Sequence, residues 1–169
     1  MNKKLFYFCI AVALIIIAAA CTDKKDNKNR EERIVEFRAD LTEADTTQML
    51  RLCDTAMEQL KEKQIDLVLS TLYEYNDSTG EVKPLSDEVA KRYTKRFQMF
   101  PVLEYNRIYY SFMLEGCNDV KYEVTFASAE QSGGNDPATT MYMFNPVKID
   151  GDWKLCVKTP QDQHDETYN

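Results

Sequence analysis

The stretch Phe144-Asn145-Pro146-Val147-Lys148-Ile149-Asp150-Gly151-Asp152-Trp153-Lys154-Leu155 decides the fold class. Asp150-Gly151 is a strong two-residue hairpin signal, because a tight primed turn needs residues that tolerate positive φ. After it, Trp153, Leu155 and Val157 alternate with Lys154, Cys156 and Lys158. That period of two predicts a half-buried strand. Residues 139–149 form the other arm, with a bend expected at Pro146.

Moving toward the amino terminus, the period of two persists. Residues 119–128 place Val120, Tyr122, Val124 and Phe126 on one face. Residues 104–115 do the same with Ile108, Tyr110, Phe112 and Leu114. Glu115-Gly116-Cys117-Asn118-Asp119 breaks between them, and Ser132-Gly133-Gly134-Asn135-Asp136-Pro137 is a loop.

Earlier still, the period becomes helical. Met49, Leu52, Cys53, Ala56 and Leu60 form an apolar stripe on a helix expected over 46–63, with Asp45 and Gln48 at capping-box spacing. Asp66 is expected to cap a second helix carrying Leu67, Val68, Leu69, Leu72 and Tyr73. A third is expected after Ser86, with Val89, Tyr93 and Phe97, ending before Pro101. Helices followed by an antiparallel meander predict an α+β domain, with the helices packed on one face of the sheet.

Residues 22–36 are charged and almost free of large apolar groups, the composition of a flexible tether. Before them stand Met1-Asn2-Lys3-Lys4, an uncharged run of 16 residues from Leu5 to Ala20, and Cys21. A positive start, an apolar core and small residues at the exit meet the physical requirements of an export signal. The run is short of the roughly 20 residues that span a bilayer comfortably. Ala18-Ala19-Ala20-Cys21 resembles the lipobox of bacterial lipoproteins, with Ala18 where that family usually has Leu. The resemblance implies cleavage of the Ala20–Cys21 bond and lipid on the Cys21 thiol. It also implies a lipid anchor in the cell envelope, expected at the outer membrane. A plain secretory signal and an uncleaved amino-terminal helix are the alternatives.

Without residues 1–20 the chain keeps 149 residues, 19 basic and 28 acidic, for a net charge of −9. That length suits one domain. That charge argues against a nucleic-acid partner, which needs a basic face. Cys53, Cys117 and Cys156 remain once Cys9 and Cys21 are set aside. No CxxC pair occurs and no zinc spacing fits. A Cys117–Cys156 disulfide and free thiols both remain open. No metal or cofactor motif is present, so the cofactor expectation is none.

Lys63-Gln64-Ile65-Asp66-Leu67-Val68-Leu69-Ser70-Thr71-Leu72-Tyr73 resembles the start of the second helix in the nuclear-transport-factor-2-like superfamily, the cystatin-like cone. Phe144 to Leu155 resembles its last hairpin, in a Val-Lys-x-Asp-Gly-x-Trp-Lys pattern. The order of elements matches over about residues 41–159. The resemblance implies a strongly curved antiparallel sheet. The resulting domains are 1–20 signal peptide, 21–40 lipidated cysteine and tether, 41–160 α+β domain and 161–169 polar tail.

Fold does not deliver function, because this superfamily spans isomerases, dehydratases, binding modules and interaction domains. The one histidine, His164, lies in the polar tail, which removes the commonest general base from the domain. No family catalytic residue maps onto a matching motif. Tyr93, Tyr110, Tyr122 and Tyr142 are the candidate pocket residues, since tyrosines with apolar bodies and polar tips suit a ligand cavity. Ordinary core packing is the competing reading of each. The expectation is a non-catalytic envelope lipoprotein that binds a small ligand or a protein partner, including a second copy through the sheet. The alternative is an isomerase, dehydratase or hydrolase using Tyr and carboxylate groups.

Overall fold

The computed structural model describes residues 29–76, 79–114, 116–134 and 136–157. The expected signal peptide, Cys21 and the expected 161–169 tail lie outside them. The chain divides into two compact units, residues 1–33 and 34–169. In the first unit Asn29 Oδ1 accepts from Glu32 N at 2.9 Å and Glu32 Oε2 accepts from Asn29 N at 3.3 Å, a reciprocal cap. It opens helix α1, Arg30–Asp40. The expected tether is therefore helical from Arg30, a local order that its charge composition concealed. In the second unit Phe37 of α1 is half-buried against the core, and Arg38 Nε donates to Phe112 O at 3.3 Å.

Helix α2 spans Glu43–Lys61. Its N-cap is Thr42, three residues before the expected Asp45 cap. The Thr42 hydroxyl accepts from Asp45 N, and the Asp45 carboxylate accepts from Thr42 N. Asp45 thus serves as the third residue of the box. The inward stripe is Met49, Cys53, Ala56, Met57 and Leu60, with Leu52 only half-buried. Helix α3, Ile65–Thr71, is shorter than expected, and Asp66 lies in its first turn with Gln64 at the cap. Ser70 Oγ and Thr71 Oγ1 donate to Leu67 O and Val68 O at 2.7 and 2.8 Å. These bonds occupy carbonyls of the last turn and help release the chain from the helix. The chain then runs straight into strand β1, Leu72–Tyr75, where a continued helix was expected.

Strand β2 is Val82–Pro84. Helix α4, Asp87–Met99, is capped by Ser86 and buries Val89, Tyr93 and Phe97, as its spacing predicts. Glu74 Oε1 accepts from Ser86 N at 2.6 Å and Ser86 Oγ at 2.7 Å, tying β1 to the start of α4. Strand β3 is Glu104–Phe112, β4 is Asn118–Ala127, β5 is Ala138–Ile149 and β6 is Asp152–Val157. A one-turn helix α5, Ala129–Ser132, lies between β4 and β5.

The strands form one curved six-stranded sheet in the order β2-β1-β6-β5-β4-β3. It is mixed, which corrects the antiparallel expectation. β1 pairs parallel with β6, Leu72 opposite Leu155 and Glu74 opposite Val157. The other neighbours are antiparallel. β5 pairs with β4 through its first half and with β6 from Asn145 onward, so it joins two halves of the sheet.

Two strand patterns depart from expectation. In β3 the register shifts between Arg107 and Tyr109. Tyr105 and Arg107 face the same side as Val124 and Tyr122. Beyond the shift Tyr110 and Phe112 take that side, opposite Val120 and Asn118. Ile108 falls at the irregularity and is exposed. In β6, Cys156 was expected on a polar face but is fully buried. The β3–β4 connection is fastened to that side: Asn145 Nδ2 donates to Gly116 O at 2.8 Å and Asn118 N to Asn145 Oδ1 at 3.1 Å. Phe144 to Val147 are consequently buried on both faces. Cys53, Cys117 and Cys156 are free thiols.

Candidate functional site

The helix-covered face of the sheet is filled. Tyr122, Phe144, Met49, Met57 and Val120 are fully buried there. Tyr93, Phe97 and Tyr142 form a run of ring contacts, with centroids 5.7 and 5.4 Å apart. The Tyr142 hydroxyl donates to Phe100 O at 2.6 Å, and burial pushes its pKa up to about 12. Tyr122 packs edge-on against Tyr105 and Phe144. Tyr93, Tyr122 and Tyr142 are therefore core residues, and Tyr110 lies exposed on edge strand β3. None of the four lines the cleft beside α2 described below.

Polar chemistry collects on the flanks of α2. On the β3 side, Arg107 Nη1 donates to both Asp54 oxygens at 2.8 and 2.7 Å. The Tyr122 hydroxyl reaches Asp54 Oδ1 at 2.6 Å, and the Tyr105 hydroxyl reaches Glu58 Oε2 at 3.0 Å. Burial, then the Glu58 carboxylate, pushes Tyr105 up to about 12. Burial, then Asp54, pushes Tyr122 higher still. Both phenols stay protonated at neutral pH and act as fixed donors. An open groove of about 600 Å³ lies here, lined by Asp54, Glu58, Tyr105 and Arg107, and these bonds tie α2 to the sheet across it.

At the start of α2 the Asp45 carboxylate takes the Thr42 hydroxyl at 2.6 Å, Lys148 Nζ at 2.9 Å and Trp153 Nε1 at 2.8 Å. The Thr42 hydroxyl, Lys148 and the indole, in that order, hold it well below the usual carboxylate range. Lys148 also sits 5.3 Å from the Trp153 ring centroid. The last hairpin is thereby bolted to α2.

On the other flank of α2 a cleft of about 510 Å³ opens toward the α3–β1 junction and β6. Its deep wall is apolar, formed by Ala56, Trp153 and Leu155, all buried, and by Leu52. Its mouth is polar: Gln48, Thr55, Gln59, Ser70, Thr71 and Tyr73. Arg51 and Lys154 are the charged residues that line it, and no acid does. The volume falls within the range of small-molecule sites, as does the pattern of an apolar wall with a few polar groups. Among the described residues the lining contains no histidine, cysteine or carboxylate. Among the described residues no group of three or more His, Cys, Asp or Glu side chains could hold a metal.

Sequence patterning points to the tyrosines and misses this cleft. Its lining comes from α2, α3, β1 and β6, and Trp153 enters the sequence argument only as a strand residue. Comparison with protein-family models, with curated proteins and with solved structures returns no match for this chain.

Proposed function

We propose that this chain is an exported lipoprotein, held on a membrane of the cell envelope by lipid on Cys21, whose domain binds a small ligand without transforming it. The anchor rests on the signal-like run Leu5–Ala20 and the small residues before Cys21. Among the described residues no helix is long and apolar enough to cross a membrane. The domain itself we assign to the nuclear-transport-factor-2-like class. The helices α1 to α4 ahead of the meander β3-β4-β5-β6 support that assignment, and the parallel β1–β6 pairing is its departure from the expected antiparallel sheet.

The observation that carries the binding reading is the contrast between two places. The helix-covered face, where an enzyme of this class would hold its acids and tyrosines, is packed with side chains. The open cleft beside α2 has a ligand-sized volume, and among the described residues its lining holds no histidine, cysteine or carboxylate. The enzymatic alternative draws on Tyr122 and Asp54, which are hydrogen-bonded. Arg107 engages both Asp54 oxygens, however, and leaves that carboxylate poorly placed as a base.

Two measurements test the proposal. Radiolabelled palmitate should enter the chain in a lipoprotein-producing bacterium and be lost in Cys21→Ser; labelling that persists in that variant overturns the anchor. Ligand occupancy should move the Trp153 indole resonance, since Trp153 is the single tryptophan and lines the cleft. Turnover of a substrate by the purified protein, abolished by Asp54→Asn or Tyr122→Phe, would replace binding by catalysis.

A further inference from the structure

The two cations on the lining of this cleft do not set its character. In β6, Lys154 pairs with Val147, whereas Trp153 pairs with Lys148 and Leu155 with Pro146. Side chains alternate along a strand, so Lys154 points to the sheet face opposite Trp153 and Leu155. Arg51 also borders two neighbouring recesses, one with Asp54 and Glu58 and the other with Glu43. Acids outside the cleft therefore offset its charge.

The flank that α2 turns to the cleft is neutral. Gln48, Leu52, Thr55 and Gln59 follow one another at steps of four, three and four residues, which makes one stripe on a helix of 3.6 residues per turn. That stripe adjoins the inward one of Met49, Cys53 and Ala56. The side chains of Gln48, Thr55 and Gln59 have no hydrogen-bond partner among the described residues. The end of α3 adds Ser70 and Thr71. Their hydroxyls donate to Leu67 O and Val68 O, so their oxygens keep acceptor capacity only. Ala56, Trp153 and Leu155 close the floor, and the indole N–H is already taken by Asp45. The floor is thus apolar and offers no donor.

Such a lining discriminates by charge and by the kind of hydrogen bond. An ion entering it would lose water without gaining a partner of opposite charge. The two acceptor oxygens at Ser70 and Thr71 ask for ligand O–H groups, and the two carboxamides serve donors and acceptors alike. A ring with several hydroxyls answers both, and its C–H face suits the apolar floor. We infer that this cleft binds an uncharged sugar, with hydroxyls on Gln48, Gln59, Ser70 and Thr71 and the C–H face of the ring toward Leu52 and Leu155. The inference rests on the ligand-binding reading above and names the ligand class for the same cleft.

The test uses the full chain in micelles of a zwitterionic, sugar-free detergent, with empty micelles as the blank. The probes are maltose, cellobiose, lactose and N,N′-diacetylchitobiose, against glucuronate as the charged control and cyclohexanol as the ring with a single hydroxyl. The Trp153 indole cross-peak reports occupancy, and its titration gives each Kd. At least one disaccharide is expected to shift the peak with a Kd of about 1 mM or below, and both controls to bind about tenfold more weakly or worse. Gln48→Met with Gln59→Met keeps side-chain length and removes both amides, and should weaken that sugar about tenfold. Lys154→Gln should leave it within about twofold. If glucuronate or cyclohexanol shifts Trp153 and no disaccharide does, the cleft binds ligands but the sugar assignment falls. It falls equally if the double Met variant binds the sugar as well as the parent. If no probe moves Trp153, the ligand-binding reading itself falls.

Discussion

Asp45 takes hydrogen bonds from the cap of its own helix, from Lys148 and from Trp153, more than 100 residues away in sequence. Its folded pKa is depressed from an ordinary 3.8. The ionised form therefore stabilises the fold above that value, and the contribution fades as pH falls through 3.8 toward the lower folded pKa. Asp45→Asn should lower the melting temperature at pH 7, and the gap to the parent should close as melts are repeated from pH 5 down to pH 2. A constant gap would show that shape, not charge, is what Asp45 supplies. Tyr122→Phe removes one buried hydroxyl from a charged acceptor and should cost about 1–2 kcal/mol in denaturant melts. Among the domain thiols, burial drives Cys53 well up and Cys156 up to about 12, whereas Cys117 is only half-buried. Iodoacetamide at neutral pH should label Cys117 before the other two, as read by peptide mass spectrometry; prior labelling of Cys156 would contradict its burial.

Elements that depend on neighbours in sequence were legible, and elements that depend on distant partners were not. The β5–β6 turn is the clearest local case: Asp150 and Gly151 have φ of 50° and 91°, as the Asp-Gly pair implies. The stripe of α2, the Ser86 cap and the Pro101 stop were equally readable, because each rests on contacts within a few residues. Leu72 and Tyr73 kept helical spacing in sequence, yet their strand forms on β6, some eighty residues later. The shift in β3 carries no local mark, so the sequence does not show that Ile108 falls at an irregularity. Gln48 and Arg51 of α2 and Trp153 of β6 are brought to one cleft only by the tertiary fold. Two glycines separate local from tertiary demands. Gly151 has open space around it, so Gly151→Ala should cost only the left-handed penalty, about 1–2 kcal/mol. Gly116 has φ of 80°, and a Cβ there would run into the Tyr75 ring. Gly116→Ala should therefore lose more stability than Gly151→Ala in parallel urea melts; an equal loss would show that the Tyr75 ring gives way.

At the scale of the whole molecule, β6 is last in order yet lies between β1 and β5 near the middle of the sheet. Its Trp153, Leu155 and Val157 are core residues. A chain ending at Asp150 should lack a cooperative melt, because β1–β2 would be cut off from the rest of the sheet and α2 would lose the Trp153 tie. A sharp melt in that truncation would show that β3, β4, β5 and the helices hold together without it. The same arrangement bears on synthesis. Until residues 152–157 leave the ribosome, no strand pairing joins the first two strands to the other three. For the exported chain proposed above, a closing strand made after the other five would postpone the finished sheet until all six strands are available for passage.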